Sequence, residues 1–185
     1  MEPNATKQLA KALAEKRGFS GEDTITPLFS GGNNQVFRYS IGSQDFLLKR
    51  YFVDPSDGRD RLSNEYSFLS FAWNQGISSI PQPFACDRSS HLALYEFIPG
   101  EKIPKESVCQ KEIDQAFAFF RRVNSHRALN DALELPTASE ACFSLENYVK
   151  AIEARFHGFR AMATQDSLSA QAQKFIFEEL FVEWE

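Results

Sequence analysis

Ser30-Gly31-Gly32-Asn33-Asn34-Gln35-Val36-Phe37 is the stretch that decides the fold: a glycine-rich turn between two strand-like runs. Upstream, Thr24-Ile25-Thr26-Pro27-Leu28-Phe29 reads as a strand entering the turn. Downstream, Val36-Phe37-Arg38-Tyr39-Ser40 reads as the returning strand. Gly42-Ser43 makes a hairpin turn into a third strand over 45–52, which completes an antiparallel meander. Asp54-Pro55-Ser56-Asp57-Gly58 breaks the pattern. A helix is predicted over 59–75, capped by Gly76. Pro81 and Pro83 lead into a fourth strand at 84–87, and Arg88-Ser89-Ser90 turns into a fifth at 91–98, ended by Pro99-Gly100.

Ahead of the sheet, residues 6–17 pattern as a short helix with Leu9, Ala10, Leu13 and Ala14 on one side, stopped by Gly18 and Gly21. Behind it the composition turns helical. Ile113, Ala116, Phe117, Phe120 and Val123 form one apolar stripe. Leu145, Tyr148, Val149, Ile152, Phe156 and Phe159 form a second, and Leu168, Ala172, Phe175, Ile176 and Leu180 a weaker third. The run 129–144, broken by Pro136, reads as a long irregular connection. The expected organisation is an N-terminal helix at 1–23, a lobe of five strands and a helix at 24–103, and a helical segment at 104–185, in the α+β class.

Composition narrows the function classes. The 185 residues are 43% apolar with 18 Phe, which predicts a real and aromatic-rich core. A net charge of −5 argues against a general binder of nucleic acid or anionic membrane. Met1-Glu2-Pro3-Asn4 lacks the features of a signal peptide, and no apolar run reaches membrane-spanning length. Cys86, Cys109 and Cys142 are few, odd in number and far apart, which predicts free thiols in a reducing cytoplasm rather than disulfides or a zinc site.

Four parts in fixed order carry chemistry. Gly31 and Gly32 let backbone N–H groups approach an anion closely, although the same residues also make an ordinary hairpin turn. Lys49 shares a strand face with Leu47, while Phe46 and Leu48 face the other way. An apolar residue two places before a lysine suits a purine beside its phosphates; a surface lysine at a strand end is the plainer reading. Glu65 sits three after Leu62 and four before Leu69, against the apolar stripe of its helix, and needs a partner there. Lys49 is that partner, unless Glu65 reaches water at the edge of the stripe. Last, Leu92-Ala93-Leu94-Tyr95-Glu96-Phe97-Ile98 enters Pro99-Gly100, either offering backbone groups to an adenine edge or forming a plain edge strand.

In this order the parts resemble the aminoglycoside phosphotransferase family of small-molecule kinases, which share the protein-kinase-like fold. The matching text is 28–38, Phe46-Leu47-Leu48-Lys49-Arg50, Asn64-Glu65-Tyr66 and 94–100, within 24–103. The resemblance implies a protein-kinase-like N-lobe followed by an incomplete helical C-lobe, with ATP as cofactor and a small-molecule acceptor as partner. It implies that Ser30, Gly31, Gly32, Asn33 and Asn34 cover the triphosphate, that Lys49 paired to Glu65 contacts the α- and β-phosphates, and that Tyr95 is the gatekeeper. The backbone of Glu96 and Ile98 would hydrogen-bond adenine.

The family also places a His-x-Asp loop, an Asn and a metal-binding Asp in its C-lobe. Here His91 precedes Leu92-Ala93, His126 precedes Arg127-Ala128, and His157 precedes Gly158-Phe159. The resemblance therefore implies a chain cut before its catalytic loop, without the base and magnesium ligands, and inactive alone. A nucleotide-binding module without catalysis and an interaction scaffold with a kinase-like lobe are the alternatives. Uncovered helical stripes would favour self-association. Acceptor-binding residues lie mostly outside what the resemblance covers.

Overall fold

A computed structural model describes residues 3–28, 34–54, 59–138, 141–160 and 163–184. The chain divides into two compact units, Met1–Thr137 and Ala138–Glu185. Five strands of the first unit, β1 (Asp23–Pro27), β2 (Gln35–Ile41), β3 (Gln44–Arg50), β4 (Pro83–Asp87) and β5 (Leu92–Glu96), pair antiparallel in the order β1-β2-β3-β5-β4. The fifth strand is therefore interior, not an edge, and Leu92, Ala93, Leu94 and Tyr95 are all buried because both of its faces are covered.

The two faces belong to different helices. Helix α1 (Pro3–Glu15) lays Ala10, Leu13 and Ala14 against Tyr39, Ile41, Phe46, Leu48, Leu92 and Leu94. On that side Phe19, Phe46 and Phe84 meet edge-on, with ring centroids 4.8, 5.2 and 5.8 Å apart, the arrangement their quadrupoles favour. Helix α2 (Arg61–Asn74) covers the opposite face, packing Leu62 and Leu69 with Tyr51, Ala93 and Tyr95. The period-two alternation along β3 thus sends Phe46 and Leu48 to α1, and Leu47 and Lys49 to the α2 side.

Local chemistry sets the ends of these elements. Asp60 caps α2 by accepting the Ser63 N–H at 2.9 Å, so the helix starts two residues later than the sequence pattern suggests. Gly76, at φ +74°, closes it in a Schellman turn: Gly76 N–H donates to Trp73 and Ile77 N–H to Ala72, and the Ile77 side chain is buried behind the turn. The third strand stops at Arg50, short of the expected residue 52, because the Phe52 N–H turns to the Asn34 side-chain carbonyl at 3.1 Å. Gly42 takes φ +57° in the β2–β3 turn and packs against Gly21, where an added Cβ would meet Gly42 Cα at 3.0 Å.

After the sheet come a single 3₁₀ turn (Lys105–Ser107), α3 (Gln110–Ser125) and α4 (Asn130–Leu133), the last a short helix inside the stretch expected to be irregular. Arg122 on α3 donates to the Gly76 carbonyl at 2.7 Å. The second unit holds α5 (Leu145–Arg160) and α6 (Ser167–Phe175), which widens into a π-type turn at Ile176–Leu180 and ends as α7 (Phe181–Trp184). Its described contacts centre on Phe156, 5.1 Å from the Phe181 ring, and on Arg160, whose guanidinium lies over Phe177 and Phe181.

Tyr95 is the last buried residue among those described. The phenylalanine count misleads about the core: among the described residues only Phe46 and Phe71 of the phenylalanines are buried, and the other large buried aromatics are Tyr39, Tyr51 and Tyr95. Phe117, Phe120 and Phe175 lie exposed on the helices beyond the sheet, and Phe143 lies exposed just before α5.

Candidate functional site

The α2 side of the sheet gathers the candidate residues. Cross-strand pairs Val36–Lys49, Arg38–Leu47, Lys49–Ala93 and Leu47–Tyr95 put these side chains on one surface, since directly opposed residues share a face. Lys49 stands at its centre. Its Nζ donates to both Glu65 carboxylate oxygens at 2.7 Å, and it also lies 5.2 Å from the centroid of the Tyr51 ring. The Lys49 side chain is 18% exposed and that of Glu65 is 37% exposed. The pair therefore sits at the lip of the sheet rather than within the core. The cost of leaving Glu65 unpaired is accordingly that of a partly hydrated ion, about 1 kcal/mol, and not the several kcal/mol of a fully buried one.

Behind the pair, Tyr95 is 1% exposed, and its hydroxyl is 2.7 Å from the hydroxyl of Tyr51. Burial, then the neighbouring Tyr95 and the Glu65 carboxylate, push the Tyr51 phenol well above its ordinary range. Burial likewise raises Tyr95, so both hydroxyls are neutral donors at physiological pH. At the end of β5 the Glu96 N–H donates to the Gln82 carbonyl at 2.8 Å, and the Glu96 carboxylate accepts from the Gln82 N–H. The Glu96 N–H is thus occupied within the fold. Ile98 is exposed. On β2, Arg38 is bonded to the Asp45 carboxylate and lies 5.0 Å from the Phe97 ring centroid, bridging the sheet to the segment after β5. Arg38 first, and Ser40 second, hold the Asp45 carboxyl below its usual range.

Among the sequence candidates, Leu47, Lys49, Glu65 and Tyr95 come together on this surface, and Glu96 and Ile98 follow at its edge. Asn34 is placed beside the end of β3 by its bond to Phe52. Ser30, Gly31, Gly32 and Asn33 lie outside the described residues. Sequence reasoning missed Tyr51, Val36 and Ala93. For Tyr51 the signal was present: it stands two residues after Lys49 in a run read as a strand, so alternation already gave it the same face. Val36 and Ala93 needed the cross-strand register. Among the described residues no group of His, Cys, Asp and Glu could hold a metal ion.

A sequence model of the phosphotransferase enzyme family matches residues 24–180. Similar solved structures include a spectinomycin phosphotransferase in complex with ADP and spectinomycin. It is 14% identical, with 94% of this chain and 53% of that one aligned at a TM-score of 0.56. A choline kinase from Cryptosporidium parvum Iowa II is also 14% identical, with 95% of this chain and 49% of that one aligned at a TM-score of 0.50. The chain thus spans about half the length of both, and at such identity the likeness is one of fold. A search among curated proteins finds no significant match.

Proposed function

The chain belongs to the phosphotransferase enzyme family, and on that premise we propose that it is the nucleotide-binding part of an ATP-dependent small-molecule kinase. The observation that carries this reading is the Lys49 ammonium held by both oxygens of Glu65 at 2.7 Å on a sheet surface it shares with Val36, Leu47 and Ala93. A lysine fixed in this way presents its charge at a set position, which is what a diphosphate needs. Val36, Leu47 and Ala93 offer an apolar bed for the adenine, closed behind by Tyr95 as gatekeeper. The Glu96 carbonyl and the Ile98 backbone are the groups left to read its edge, since the Glu96 N–H is bonded to Gln82. Ser30, Gly31, Gly32, Asn33 and Asn34 complete the reading as the cover over the phosphates. ATP would supply the transferable phosphoryl group, and a small molecule would accept it. The described residues offer magnesium no ligand set.

None of the three histidines heads a His-x-Asp triplet, so this chain by itself is expected to bind nucleotide without turning it over. The free thiols of Cys86, Cys109 and Cys142 suit a reducing cytoplasm, which is part of the same proposal. Among the described residues no helix is long and apolar enough to cross a membrane. Isothermal titration with ATP and ADP, with and without magnesium, tests the nucleotide reading. Saturable binding that Lys49→Ala weakens at least tenfold supports it. The absence of binding to a folded chain at millimolar nucleotide sinks it. Turnover of small alcohols or amines by this chain, abolished by Lys49→Ala, would overturn the inactivity.

One observation favours a second reading. Ile113, Phe117 and Phe120 of α3 are 53–60% exposed in a row, a pattern that suits an interaction scaffold. That reading expects no nucleotide binding and a tolerated Lys49→Ala.

A further inference from the structure

Tyr51 lies outside the set of residues that the sequence pattern picked out, yet it meets both Lys49 and Tyr95. Its backbone N–H donates to the His91 carbonyl at 2.9 Å, which extends the β3–β5 pairing by one bond and fixes the ring beneath Lys49. The ring faces the Lys49 ammonium at 5.2 Å from its centroid, and the hydroxyl meets that of Tyr95 at 2.7 Å. The residue is 4% exposed, so its hydroxyl has no bulk water to turn to. Two facing hydroxyls in a dry site need an order: one donates, and the other must pass its own proton to a further acceptor. Among the described residues, the Glu65 carboxylate acts on Tyr51 and also on Tyr95. The hydroxyl pair can run in either direction, with the Glu65 carboxylate that clamps Lys49 as the charged group acting on both rings.

We propose that Tyr51 is a positioning residue of the nucleotide site, seating the Lys49 ammonium on its ring and tying the Lys49–Glu65 pair to the buried Tyr95 through its hydroxyl. The lysine is then held from two sides, by Glu65 ahead and the aromatic face behind. The back wall of the pocket and the phosphate-contacting charge become one linked unit, through the Tyr51–Tyr95 hydrogen bond and the ring beneath the ammonium. A change at Tyr95 is therefore felt at Lys49, although the two side chains are not bonded to each other. The inference rests on the nucleotide reading only where phosphate binding is measured.

The experiment has two arms on the full chain. In the first, calorimetry compares ATP with adenosine for the wild type, Tyr51→Phe and Tyr51→Leu. Because Tyr51 acts through Lys49, Tyr51→Leu is expected to weaken ATP about tenfold and adenosine by less than twofold, with Tyr51→Phe in between. An equal loss for both ligands means a merely structural role and overturns the proposal, as does an unchanged ATP affinity. In the second arm, acetylation of Lys49 by a small amine-reactive ester is followed by mass spectrometry without nucleotide. Release of the ammonium in Tyr51→Leu should raise its labelling rate several-fold over the wild type, while Lys150 on α5 labels at an unchanged rate. An unchanged Lys49 rate overturns the proposal even if ATP never binds. A wild type that binds neither ligand defeats the nucleotide reading and leaves the labelling arm to decide. If Tyr51→Leu fails to fold, Tyr51→Met, which fills much of the same space without a ring, takes its place in both arms, with Tyr51→Phe as the control that keeps the ring.

Discussion

Lys49 and Glu65 form a close charge pair that contributes little to stability. With Glu65 more than a third exposed, the pair adds about 1 kcal/mol at most to folding. Its value lies in holding one ammonium at a fixed place. Asp60 is the contrasting case, since its carboxylate is structural. The Ser63 side chain and backbone N–H hold its carboxyl below the ordinary range. A carboxyl depressed in the folded state stabilises fully above its unfolded pKa, and that contribution is lost as pH falls through the folded value. Asp60→Ala should therefore cost about 1 kcal/mol at pH 7. The difference from wild type should begin to shrink below about pH 4. Urea denaturation at pH 7 and at pH 3 reads both; an equal gap at the two pH values would show that the cap does not act through its charge.

At the scale of elements, glycines separate two kinds of cost. Gly76, at φ +74°, has open space where a Cβ would go, the nearest atom being Arg122 Nη2 at 4.0 Å. Gly76→Ala should cost only the left-handed backbone penalty of about 1–2 kcal/mol. Gly42, at φ +57°, would bring its Cβ to 3.0 Å from the Ser20 carbonyl oxygen, so Gly42→Ala should cost clearly more. A thermal or urea series on the two variants checks the ranking, and equal losses would mean that the contact with the Ser20 carbonyl relaxes freely.

The same elements show what the sequence could and could not say. All five strands and α2 were readable from alternation and turn residues, with ends displaced by one or two positions where caps and side-chain bonds intervene, as Asp60 and Asn34 do. The Lys49–Glu65 pairing was readable because a carboxylate on an apolar stripe demands a cation. The interior position of β5 was not, because an apolar run does not reveal which strands flank it. The face that Tyr51 takes was within reach of alternation, but its hydroxyl partner on β5 depends on register. The stripes of α3, α5 and α6 were legible as helices. A stripe marks which side is apolar and says nothing of what lies against it.

For the molecule as a whole, burial is unevenly distributed. Every described residue beyond Tyr95 is at least partly exposed, although the helices continue to Trp184. Helices without a buried face draw little support from tertiary packing. Hydrogen exchange should therefore divide the chain: amides of β2, β3 and β5 protected to the global limit, and those of α3, α5 and α6 exchanging orders of magnitude faster. Uniform protection across both regions would show that the helices are held more firmly than their exposure implies.

The interior strand β5 ends at Glu96, and each partner in the buried clusters precedes it in the chain. Synthesis runs from the N-terminus, so the ribosome has delivered every piece of the sheet and both of its covering helices once that residue clears the exit tunnel. The lobe can close while the later helices are still being translated, and a nascent chain stalled some tens of codons past residue 96 already has a complete seat for Lys49 and Glu65.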